Sequence, residues 1–130
     1  MQFPPIPENL ELAGKQLIDS AFTVHQALGP GLLESVYEEC LFHELKKRGL
    51  SVERQKEIPI RYDGKILSTR LKIDLLVENG IVVELKAVET IVALFQAQLL
   101  TYLKLTGFRL GYLINFNVPL IKQGIKRIVL

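Results

Sequence analysis

Three charged residues, Asp74, Glu84 and Lys86, stand inside the stretch DLLVENGIVVELKA, residues 74–87, whose other positions read as two buried strands around an Asn-Gly turn. A charge in an apolar strand is destabilising unless it is paired, metal-bound or solvated in a cleft. The turn allows two registers. If Asn79-Gly80 alone formed the loop, Glu84 would face Leu75, and Asp74 would point to the opposite side of the sheet. If the loop spans residues 78–80, with Gly80 left-handed in a bulge, Val77 faces Ile81 and Asp74 faces Glu84. That register gathers Ile73, Leu75, Val77, Ile81, Val83 and Leu85 on one apolar face. It places Lys72, Asp74, Leu76, Val82, Glu84 and Lys86 on the other, and the segregation selects it.

Two adjacent carboxylates repel each other, and a divalent cation between them removes the repulsion. Oxygen ligands suit a hard ion, Mg²⁺ or Mn²⁺, rather than zinc. Lys86 points the same way as Glu84 and is placed to orient a water or to neutralise charge developing on a phosphate. Together these groups predict a site for phosphodiester hydrolysis. The Glu-Leu-Lys tripeptide is a weak signal by itself; its competing reading is surface ion pairing of Lys86 with Glu84, or of Lys72 with Asp74.

Two further pairs bear on the same site. In GLLESVY, Glu34 and Tyr37 lie three apart on one helical face, and Glu34 also suits the first helical turn through the helix dipole. In QLLTY, Gln98 and Tyr102 lie four apart on an otherwise apolar helix, where they need polar partners: a phosphate, a base, the metal shell or a backbone carbonyl.

The elements that must position these residues follow from periodicity. Leu10, Leu17, Ala21, Val24 and Leu28 mark an amphipathic helix over residues 8–28, stopped by Gly29-Pro30-Gly31. A second helix is predicted over residues 33–48, with Val36, Tyr37, Cys40, Leu41 and Leu45 as its stripe and Gly49 as its stop. From Val52 the period becomes two, and Asp63-Gly64 and Asn79-Gly80 divide an antiparallel meander of three strands. A helix capped by Thr90 and ended by Gly107 is apolar almost all round, as if packed on the sheet and covered on its outer side. FRLGYLINF and IKRIVL complete the order α-α-β-β-β-α-β-β. This is an α+β fold with a mixed sheet flanked by helices, the central helix crossing to a parallel strand.

The 130 residues suit one domain, and no apolar run approaches the roughly 20 residues that span a bilayer. The start, MQFPPIPENLELAGK, lacks the pattern of a secretory leader, so a cytoplasmic protein without membrane attachment is expected. The lone Cys40 fits that compartment as a structural thiol. Net charge is +2, unevenly spread: nine bases and three acids fall in residues 46–72, and five bases and no acid follow Glu89. A basic middle and tail suit a polyanionic partner or ordinary solvated edges. His25 and His43 belong to no Cys/His cluster, no serine sits in a nucleophile elbow, and the glycines form no nucleotide-binding loop.

Taken together, GPGLLESVYEE, KIDLLVENGIVVELKAVE and QAQLLTYLKLTGFRLGYLINFN, in this order, resemble the GxxExxY protein family, a branch of the PD-(D/E)XK nuclease superfamily. The resemblance covers about residues 10–130 and implies a restriction-endonuclease-like core. It implies that Asp74, Glu84 and Lys86 are the catalytic D…ExK residues and that Glu34 joins Asp74, Glu84 and the Leu85 carbonyl around Mg²⁺ or Mn²⁺. Gly31, Glu34 and Tyr37 match the triplet that names the family, and Gln98 and Tyr102 match a Q-x-x-x-Y signature that assists substrate contacts. With Tyr37, Arg70 and Lys72 they form the expected substrate-binding set, although Lys72 stands where relatives commonly carry Arg. The implied partner is nucleic acid, DNA ahead of RNA. The rival expectations are a binding module that no longer cuts, and a scaffold that forms a homodimer through residues 91–105 and IKRIVL.

Overall fold

The computed structural model describes residues 3–130; Met1 and Gln2, where the leader-free reading starts, lie outside the described residues. Asp63 and Gly64 hold left-handed φ values of 52° and 75°, the conformation of a hairpin turn whose twist matches its flanking strands. They join β1 (Val52–Tyr62) to β2 (Lys65–Val77), and the next loop joins β2 to β3 (Ile81–Lys86). β3 runs parallel to β4 (Leu110–Asn115), and β4 antiparallel to β5 (Ile125–Val129), so the sheet order is β1-β2-β3-β4-β5. Parallel neighbours need a crossover, which α3 (Ala93–Thr106) supplies on one face. α1 (Glu8–Leu28) and α2 (Glu34–Lys47) cover the other. This is the α+β mixed-sheet order anticipated above. No described helix is long and apolar enough to cross a membrane.

Each face has its own core. Leu17 and Ala21 of α1, and Tyr37, Leu41 and Leu45 of α2, pack on Leu75, Val77, Ile81, Val83 and Leu85. On the far side, Leu99 and Leu103 of α3 pack on Leu71, Ile73, Leu76, Val82 and Leu113. Sheets buried on both faces carry near-continuous apolar strands, which is why β3 and β4 read as they do.

Several expectations are corrected. Ile73 belongs to the α3 side, not to the face of Leu75, because strand alternation slips at Asp74. In the 78–80 loop the left-handed residues are Glu78 and Asn79, at 51° and 50°, not Gly80. Gly80 lies close under Leu10, whose side-chain methyls a Cβ there would meet. α3 begins at Ala93, with Val92 rather than Thr90 at its N-cap, since the β-branched run Thr90-Ile91-Val92 stays outside the helix and Ile91 packs on the α3-side core. The outer face of α3 is not covered, with Leu94 71% exposed. In α2, Val36 is exposed and Cys40 only half-buried, so the stripe narrows to Tyr37, Leu41 and Leu45.

A short 3₁₀ turn, Ile121–Gly124, brings the chain from β4 into β5. A Cβ on Gly124 would run into the Asn115 carbonyl oxygen, and backbone cannot swing aside as a side chain can. Gly124→Ala is therefore expected to cost about 3 kcal/mol, the upper end for overpacking. Denaturant unfolding checks this, and a loss within experimental scatter would show that the turn has room to relax.

Candidate active site

The β2–β3 ladder runs from Val77–Ile81 to Leu75–Val83, in the three-residue-loop register, and stops where Asp74 meets Glu84. The carboxylates take over from the ladder there. The Leu85 amide donates to Asp74 Oδ2 at 2.8 Å, and the Asp74 amide donates to Glu84 Oε1 at 3.2 Å. Buried backbone N–H groups need acceptors, so the parting of the strands and the placing of the acids are one event.

A residue that sequence reasoning missed holds the other side of Asp74. β1 pairs Arg54 with Leu75 and Lys56 with Ile73, leaving Gln55 and Asp74 unpaired between them. Gln55 has φ 48°, a conformation that costs a non-glycine residue about 1–2 kcal/mol. In that pose its amide donates to Glu38 Oε1 at 2.5 Å and to Asp74 Oδ1 at 3.3 Å. Glu38, buried on α2, also pairs with Arg54 at 3.2 Å. The Gln55 amide of β1 thus links α2 to β2 by bonding a carboxylate on each. A glutamine in a polar run of β1 gives no local sign of this role.

Glu84 is 7% exposed. Burial, and next the negative charge of Asp74, push its pKa up to about 8, against partial relief from the Asp74 amide and Lys86. Burial raises Glu34 as well; Asp74 adds to the rise and Lys86 opposes it, which places Glu34 within electrostatic reach of the pair. The Tyr102 hydroxyl is raised by burial and then by Glu84, and it accepts a hydrogen bond from the Gln98 amide at 2.8 Å. The structure therefore brings Glu34, Asp74, Glu84, Lys86, Gln98 and Tyr102 to one neighbourhood. Lys86 Nζ lies 4.5 Å from the centre of the Phe95 ring. It forms no ion pair with Glu84, nor Lys72 with Asp74, so the surface-pair reading does not hold among the described residues.

Tyr37 is placed differently from expectation. It is fully buried, stacked on Phe116 at 4.6 Å. Its hydroxyl donates to the Gly29 carbonyl at 2.6 Å and accepts from the Leu32 amide at 3.1 Å. With its hydrogen bonds spent on the loop that leads into Glu34, it is a latch beneath the site rather than a substrate contact. Arg70 and Lys72 lie exposed on β2, outside the cluster. A second residue missed is Asn115, which β4 sets beside Lys86. Its side chain accepts from the Val88 and Asn117 amides at 3.0 and 3.2 Å and donates to the Val88 carbonyl at 2.9 Å. It fixes the chain just past Lys86.

Among the described residues no three His, Cys, Asp or Glu side chains converge closely enough to hold an ion alone. The donor set suits a hard dication all the same. Mg²⁺ is commonly held by one or two carboxylates and completes its shell with water and substrate oxygens. A buried acid whose pKa is raised beside a second acid is what such an ion would relieve.

No curated protein and no solved structure matches the chain. A family model does, described as the PD-(D/E)XK nuclease superfamily and matched over residues 11–128. With the acids at the parting of two strands and the lysine two residues on, nearly the full length of this chain belongs to the PD-(D/E)XK nuclease superfamily.

Proposed function

We propose that residues 1–130 act as one metal-dependent nuclease domain of the GxxExxY branch, hydrolysing phosphodiester bonds of nucleic acid, DNA ahead of RNA. The observation that carries this reading is Glu84, buried against Asp74 with its pKa pushed up and no cation within ion-pair distance among the described residues. Asp74, Glu84 and the Leu85 carbonyl, with Glu34 close by, would hold Mg²⁺ or Mn²⁺. When bound, the ion supplies Lewis-acid neutralisation of charge on the phosphoryl oxygens.

The chain's own groups do the rest. The Leu85 and Asp74 amides and the Gln55 side chain fix the carboxylates before substrate arrives, which lowers the reorganisation left for the reaction. Lys86, whose ammonium rests over the Phe95 ring, is the group that would hydrogen-bond the attacking water and oppose charge growing on the phosphate. Tyr102 and Gln98 offer a hydroxyl and an amide from α3 to substrate oxygens. The uncovered outer face of α3, with Leu94 and Leu105 exposed, is where a second copy would pack if the protein self-associates.

The test is cleavage of labelled single- and double-stranded DNA and RNA in Mg²⁺, in Mn²⁺ and in chelator. Cleavage is expected with the metals alone, and Lys86→Ala should slow it about 100-fold, the lower range for a positioned proton-transfer group. A binding module that no longer cuts would retain the nucleic acid uncleaved in every condition, and cleavage indifferent to Lys86→Ala would remove the site from the reaction.

A further inference from the structure

The β1–β2 hairpin runs out beyond the helices. Ile58, Ile60 and Leu71 tie its base to the α3-side core, while every residue from 61 to 70 is exposed. A ribbon bare on both faces gains little from the core, so its composition reflects what it meets. Residues 57–72 contain Arg61, Lys65, Arg70 and Lys72 against Glu57 and Asp63. None of these four cations forms an ion pair among the described residues.

Pairing orders them. Pro59 lies opposite Arg70 and Glu57 opposite Lys72, and Arg61 is two residues beyond Pro59 on the same strand. Opposed residues share a face, and so do residues two apart. Arg70 and Lys72 therefore share a face, roughly 6.6 Å apart at about 3.3 Å per residue; the register shifts between Pro59 and Arg61, which pairs with Ile66, so Arg61 stands farther out, roughly 13 Å beyond Arg70 toward the tip. Glu57 is the acid on that face. The row begins two residues from Asp74 and runs outward, away from the carboxylates. Tyr62 and Lys65 pair at the tip, with Tyr62 73% exposed.

We infer that this hairpin is a rail for a nucleic-acid strand, its three cations meeting phosphates of one strand on one side of the bond that lies at Asp74 and Glu84. The Arg70–Lys72 step is of the order of the phosphate repeat of a polynucleotide backbone, and along β2 the cations follow one another outward from Asp74. What happens at the end of the rail rests on the nuclease reading; the rail itself is a statement about binding. It makes the substrate a polymer: a dinucleotide at the acids cannot also reach Arg70 and Arg61.

Binding of labelled oligonucleotides, single-stranded and duplex, is measured by fluorescence anisotropy in chelator over a series of KCl concentrations. Each phosphate contact contributes about 0.7–0.9 to the slope of log affinity against log salt. Arg61→Ala, Arg70→Ala and Lys72→Ala combined should lower that slope by roughly 2–3 and weaken all sequences alike. Lys104→Ala, Lys122→Ala and Lys126→Ala combined remove the same charge from exposed positions elsewhere and should leave the slope in place. A melting temperature matching wild type certifies that the bare ribbon tolerates the changes. An equal slope change in both variants would overturn the rail, as would an unchanged slope in the hairpin variant. So would a wild-type dimer that the hairpin variant alone turns to monomer without change of slope. Wild-type protein that binds with the expected slope but never cuts in Mn²⁺ would sink the nuclease reading and leave the rail standing.

Discussion

Glu84→Gln is expected to abolish metal-dependent cleavage while making the metal-free protein more stable. Glutamine keeps an acceptor for the Asp74 amide and presents an N–H toward the acid that glutamate repels. The sign of the pH effect follows from the raised pKa. In the unfolded chain the group ionises near its ordinary value of 4.5, and in the folded protein near 8, so between those values the folded state binds more protons. Stability of the metal-free wild type therefore falls as pH rises across that window, by roughly 1 kcal/mol per pH unit, and levels off above it. The Gln variant lacks this fall and should melt higher at pH 8.5 than wild type. Mn²⁺ should raise the wild-type melting temperature at pH 8.5 more than at pH 6, and should barely move that of the variant. Cleavage should drop about 1000-fold, the equivalent of several kcal/mol of lost charge stabilisation. A variant that melts lower than wild type at pH 8.5 and still cuts would refute both roles of Glu84, as the strained acid and as a metal ligand.

Asn115→Leu is expected to produce the largest loss of stability of any single conservative-volume change near the site. The residue is 1% exposed and serves three backbone groups at once. Leucine fills its volume but leaves the Val88 amide, the Val88 carbonyl and the Asn117 amide without their partner. At about 1 kcal/mol or more for each buried orphan, the change should cost about 3 kcal/mol or more and lower the melting temperature by roughly 10 °C. Because Asn115 lies beside Lys86 in the β3–β4 ladder, the folded fraction should also cut more slowly. Unfolding within about 1 kcal/mol of wild type would mean that water replaces the side chain.

The register of the central hairpin could be read from its residues because a one-residue slip would have put Leu75 beside Glu84, and the segregation of apolar positions forbids that. The order of elements followed from periodicity for the same reason. What escaped was set by contacts distant in the chain. Gly80 packs against Leu10, seventy residues earlier, and the left-handed turn falls to Glu78 and Asn79. Ile91 is held by the α3-side core, which keeps Thr90 from capping the helix. Tyr37 shares a helical face with Glu34 by spacing, yet Phe116 draws its ring inward. Gln55 acquires its role from a backbone kink opposite Asp74, and no periodicity announces a kink. The acids and the lysine were legible because charge in an apolar strand is conspicuous; their supports were not, because amides and asparagines are ordinary anywhere.

The sheet is open, with β1 and β5 at its borders. A bare border strand is a template for another molecule's strand, the usual beginning of fibrous aggregates. Here Pro59 offers no N–H, the left-handed Gln55 breaks the run of donors, and Lys56 and Arg61 bring charge to the same strand. β5 is five residues long and carries Lys126 and Arg127. Concentrated solutions of the protein should accordingly resist cross-β growth, and neutralising Lys56 and Arg61 together with Pro59→Val should shorten the lag of thioflavin fluorescence.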